Sequence, residues 1–87
     1  YQNYPNPFNP ITTISYDIIK DGYVELSIYN SSGKLVNKFV NSYKTSGRKL
    51  ITWNGTDQNQ NLLPSGLYIY TIKTGGFTST RKMILMK

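Results

Sequence analysis

Cysteine and histidine are both absent from this 87-residue chain, and acids are scarce: Asp17, Asp21, Glu25 and Asp57 are its four. Without thiols, neither disulfides nor thiolate metal sites supplement the core. Without imidazole, Ser-His-Asp and Cys-His nucleophiles, ordinary zinc sites and imidazole acid–base work are excluded too. A non-catalytic module with no metal and no cofactor is the expectation. Alanine is also missing, while Ile, Thr, Tyr, Asn and Ser abound. The best helix former is unused and strand formers dominate. No run approaches the ~18 apolar residues of a transmembrane segment.

One domain with a single modest core is what this length permits. The chain opens Tyr1-Gln2-Asn3-Tyr4, without the basic flank and apolar run of a secretory leader. A start without Met leads us to expect a piece cut from a longer polypeptide. Ten Lys/Arg against four Asp/Glu give a net charge of +6. Such a surface attracts polyanions, and affinity of that kind would fall steeply with salt. The cations are dispersed, adjacent only at Arg48-Lys49 and Arg81-Lys82. Lysines that guard sheet edges are the simpler reading. With no recognition helix or base-stacking motif, no specific nucleic-acid partner is expected.

Residues 1–10 form a Pro/Asn-rich opening segment, Tyr4-Pro5-Asn6-Pro7-Phe8-Asn9-Pro10, whose prolines keep the backbone extended. Phe8 is the expected anchor of this segment on the body, residues 11–87. Six strand-like runs follow. Ile14, Tyr16 and Ile18 alternate onto one face, as do Val24, Leu26 and Ile28. Asn30-Ser31-Ser32-Gly33 is a hairpin signal. The return run from Lys34 to Val40 chooses no single face, which predicts a bulge or an edge. Ser42 to Gly47 reads as a loop, and Arg48 to Trp53 as a strand with Ile51 and Trp53 inward. After the polar loop Asn54 to Asn61, Leu67 to Lys73 and Phe77 to Lys87 are strands about the tight turn Gly75-Gly76. Short strands without helical period predict an all-β fold, an immunoglobulin-like antiparallel β-sandwich of six or seven strands. Trp53 is its largest core residue, and Tyr68 a candidate for the hydroxyl-to-backbone contact of a tyrosine corner.

Asp57-Gln58-Asn59-Gln60-Asn61 imitates the start of a calcium loop, but Leu62 stands where glycine is needed and Tyr68 where a bidentate glutamate is needed. Tyr23 and Tyr29, on the outward face of their strand, make a carbohydrate-binding or spacer module of an extracellular polysaccharide-active enzyme the alternative function. Asn30-Ser31-Ser32 and Asn54-Gly55-Thr56 fit the glycosylation pattern, which so Asn-rich a chain produces easily. The run Lys82-Met83-Ile84-Leu85-Met86-Lys87 is different. It is apolar and bracketed by lysines, a layout that suits an edge strand or a peptide captured by another protein.

A series of short matches carries a family resemblance. They are Asn3-Tyr4-Pro5-Asn6-Pro7-Phe8-Asn9-Pro10, Ile14-Ser15-Tyr16, Ile28-Tyr29-Asn30 leading to Gly33, Trp53-Asn54-Gly55 with Asp57, Ser65-Gly66-Leu67-Tyr68, and Lys82-Met83-Ile84-Leu85. In this order and spacing the chain resembles the C-terminal sorting domain (type A) of the bacterial type IX secretion system. That group is similar to the immunoglobulin-like domain of the flagellar hook-capping protein. The resemblance implies a tag that directs an N-terminally fused cargo, by way of the periplasm, to the cell surface or the medium. It implies two partners, the outer-membrane translocon and a sortase-like surface peptidase. Lys82, Met83, Ile84, Leu85, Met86 and Lys87 would be the recognition strand, and Pro5, Asn6, Pro7, Phe8 and Asn9 the opening motif. Trp53, Gly55, Asp57, Gly66 and Tyr68 would form a mainly structural middle motif. The family often has glycine where this chain has Gln60, so Asn59 or Asn61 is expected to supply any left-handed residue in that loop.

Overall fold

Among the described residues, period-two alternation of apolar side chains gives six strands, each with one face to bury. The computed structural model describes residues 1–3 and 11–86. The strands are β1 (Thr12–Ile18), β2 (Gly22–Asn30), β3 (Leu35–Lys44), β4 (Gly47–Trp53), β5 (Gly66–Thr74) and β6 (Phe77–Leu85). β1 pairs with β4 in one sheet, and the other sheet runs β3-β2-β5-β6. Every pairing is antiparallel. Between the layers lie Ile14, Tyr16 and Ile18 from β1, Val24, Leu26 and Ile28 from β2, and Trp53 from β4. Tyr68, Tyr70 and Ile72 of β5 and Met83 and Leu85 of β6 complete this core.

The turns follow their side chains. Asn30 Oδ1 accepts from the backbone N–H of Ser32 and of Lys34, both at 3.0 Å, and Gly33 takes φ +86° to re-enter the strand. Gly75 and Gly76, at φ +21° and +88°, close the β5–β6 hairpin as the mirror-image turn that matches strand twist.

Three expectations need correction. The stretch from Ser42 is strand: β3 continues to Lys44, with Ser42, Tyr43 and Lys44 opposite Val24, Tyr23 and Gly22. Backbone pairing along an edge carries polar residues that have no core face to fill, so polarity alone was misleading. Tyr43 is thus no turn residue but an exposed strand residue. The third correction is Gln60, which itself takes the left-handed conformation (φ +67°) assigned above to Asn59 or Asn61. The broken phase of β3 does have the predicted cause. Register shifts beside Leu26/Ser27 and Ile28/Tyr29 skip Phe39 and Val36, and β3 is the outer strand of its sheet.

Candidate functional site

Among the described residues, β6 is the other outer strand of the four-stranded sheet, with β5 as its strand partner. Alternation splits its end into two sets. Met83 and Leu85 are 0% and 1% exposed and belong to the core, whereas Ile84 is 47% exposed, Met86, one residue past the strand, is 50% exposed, and Lys82 is exposed beside them. The register sets Ile84 opposite Leu67 and Lys82 opposite Ile69. Lys87 lies outside the described residues, as do Pro5, Asn6, Pro7, Phe8 and Asn9.

The start of the chain meets this strand. Gln2 donates from Nε2 to the backbone carbonyl of Lys82 at 2.8 Å. A strand residue's N–H and C=O point to one side, so this bond shows that Lys82 directs its backbone away from β5. The neighbours of Gln2 are tied to both layers. The hydroxyl of fully buried Tyr70 donates to the Tyr1 carbonyl at 2.7 Å, and buried Asn3 donates from Nδ2 to Thr12 Oγ1 at 2.8 Å. The Arg48 guanidinium sits 4.3 Å over the Tyr1 ring, bonds its hydroxyl, and pairs with Asp17 at 3.1 Å. That hydrogen bond holds the Asp17 carboxyl below its usual range. Residues 1–3 therefore lace β6 of one sheet to β1 and β4 of the other. Sequence reasoning missed Gln2 and Tyr70. The second was legible, since Tyr70 is in phase with Tyr68; a lone Gln in a polar stretch gives no signal.

The residues of the middle motif make their contacts within the domain. Trp53 Nε1 and Asn37 Nδ2 both donate to the Thr56 carbonyl at 2.8 Å, with Gly55 at φ +76° turning the chain toward them. Asp57 Oδ1 accepts from the backbone N–H of Asn59 and of Asn61, each at 2.9 Å. The Asn61 N–H in particular holds the Asp57 carboxyl below its ordinary value. That carboxylate serves the loop itself, and among the described residues no cluster of three acidic side chains offers a metal site. Tyr68 donates its hydroxyl to the Pro64 carbonyl at 2.7 Å and meets the Trp53 ring edge-on, centroids 5.5 Å apart, in the tyrosine-corner role. Gly66 opens β5 two residues before it. Of the proposed sugar platform, Tyr23 is exposed and Tyr29 half-buried.

The profile of the secretion system C-terminal sorting domain family matches residues 2–86. The chain belongs to this family. It is a sorting signal of type IX secretion, which marks proteins for the cell surface or the medium by way of the periplasm. No curated protein matches the chain. Solved structures share its immunoglobulin-like fold. FlgD of P. aeruginosa superposes with TM-score 0.67 at 23% identity, over 86% of this chain and 59% of that one. PorZ, a surface component of the type IX system of Porphyromonas gingivalis, gives 0.69 at 18%, over 98% and 11%. Dimeric latent PorU of the same organism gives 0.70 at 23%, over 95% and 9%. The sorting domain thus spans little more than half of FlgD and about a tenth of the other two.

Proposed function

We propose that this sorting domain is the non-catalytic address of an N-terminally attached cargo, and that its closing strand, Lys82 to Lys87, is what the outer-membrane translocon reads. One observation supports the strand: Ile84, and Met86 just beyond the end of β6, stay about half exposed beside Lys82. Singly exposed apolar residues are ordinary, but two at alternate positions beside a lysine suit a receptor that pockets alternate side chains. Met83 and Leu85 act in this reading as the anchors that hold the strand in register. The motif Pro5-Asn6-Pro7-Phe8-Asn9 is the lead-in from the cargo, and a sortase-like surface peptidase is the second partner. Trp53, Gly55, Asp57, Gly66 and Tyr68 keep the body folded while the strand is presented.

The test is a cargo protein that carries residues 1–87, expressed in a bacterium with a working type IX system, with and without residues 82–87. Truncation should leave the cargo in the periplasm. Undiminished export of the truncated form would remove the signal from this strand.

A further inference from the structure

Resting on that reading, we infer that the receptor docks on a folded surface built from two strands: Leu67 and Ile69 of β5 beside Ile84 and Lys82 of β6. Its partner is a protein groove with an apolar floor and a carboxylate rim. Met83 and Leu85 lie between the layers, so a receptor that met the folded domain would touch neither. What it would touch is set by the register, which pairs Leu67 with Ile84 and Ile69 with Lys82. The same row continues inward, because Tyr29 stands opposite Ile69, and Leu35 opposite Tyr29. Leu67 and Leu35 are 38% and 41% exposed, close to the exposure of Ile84. The next row, Ser27, Thr71 and Thr80, is polar and bounds the patch on that side.

Charge selects the partner. Lys82 stands within this patch, and the carboxylates of the domain are committed elsewhere. Glu25 shares the face but lies about 13 Å further along β2, paired with Lys38. Asp57, near Leu35, spends its carboxylate on its own loop. Asp17 belongs to the other sheet with Arg48, and Asp21 accepts from the Ser46 N–H at the opposite end. A cation beside bare apolar side chains calls for an acidic rim around an apolar pocket. A second copy of this domain would instead set Lys82 against Lys82.

The experiment measures surface export of the full cargo protein with Leu67→Ser plus Ile84→Ser, with Lys82→Glu, and with Leu50→Ser. The first two touch exposed positions, and unchanged melting of the purified proteins verifies their folds. Export should fall about tenfold for the double variant, as for loss of a central apolar contact, and should fall for Lys82→Glu as well. Leu50→Ser, at an exposed position of β4 in the other sheet, should export normally. Normal export of the folded double variant would overturn the two-strand surface while leaving the tag reading intact. Undiminished export after truncation at Lys82 would instead remove the signal from the closing strand, the reading on which this proposal rests. Sedimentation should show a monomer; a dimer that Ile84→Ser disperses would give the face to a second copy and contradict the proposal.

Discussion

Replacing Met83 by alanine separates the two faces of the closing strand. Met83 is fully buried opposite Tyr68, so truncation removes its packing and leaves a cavity beside that ring. Such a loss costs about 2–5 kcal/mol, against a total stability of about 4–13 kcal/mol for a domain of this length. Ile84, one residue on and half exposed, should cost under about 1 kcal/mol when changed to alanine. Leu85, 1% exposed, should behave like Met83. Urea denaturation followed by Trp53 fluorescence measures all three. With a slope of about 1 kcal/mol per molar, the Met83→Ala midpoint should drop by at least about 2 M. Equal costs at Met83 and Ile84 would refute the reasoning, because a register slip of one residue exchanges the faces of the whole strand.

Three further outcomes follow from single contacts. Gln60→Gly relieves a left-handed residue that costs about 1–2 kcal/mol, partly offset by glycine entropy, so a net gain of about 0.5–1 kcal/mol should appear in the same urea experiment. Thr71 and Thr80 face each other with hydroxyls 3.4 Å apart, so the chain with both changed to cysteine should oxidise to a β5–β6 disulfide worth about 2–3 kcal/mol. The locked domain should still be exported if the strand is read in place. The third outcome concerns acid. Asp57 titrates lower folded than unfolded, so its contribution is present above the unfolded value near about pH 4 and is lost as pH falls through the folded one. Asp57→Asn should therefore flatten the decline of stability below about pH 4, measured by urea midpoints across the acid range.

Alternation made β1, β2 and β5 legible, since one buried face leaves Ile14, Tyr16, Ile18, Val24, Leu26, Ile28 and Tyr68 no other phase. Glycine and asparagine marked both tight hairpins for the same local reason. β3 was harder to read. Its bulges at Val36 and Phe39 break the period, and its polar end at Ser42 to Lys44 is held by backbone pairing that no side chain advertises. Gln60 shows the complementary limit: a side chain of ordinary helix propensity is forced left-handed by the bonds Asp57 makes around it. At the candidate site the sequence marked the closing run but not its partners. Leu67 stands beside Ile84 only because β5 and β6 form a hairpin in this register, and the Gln2 contact with Lys82 spans almost the entire chain. Burial of Met83 and Leu85 by itself would hide the strand; the outward set of Lys82, Ile84 and Met86 is what leaves a surface to read.

Sufficiency is the most direct measurement of the account. Residues 1–87 fused behind a periplasmic reporter, in a bacterium with an active type IX system, should carry the reporter to the cell surface or the medium, and the same fusion in a strain lacking the translocon should remain periplasmic. Equal distribution of the reporter in the two strains would contradict it.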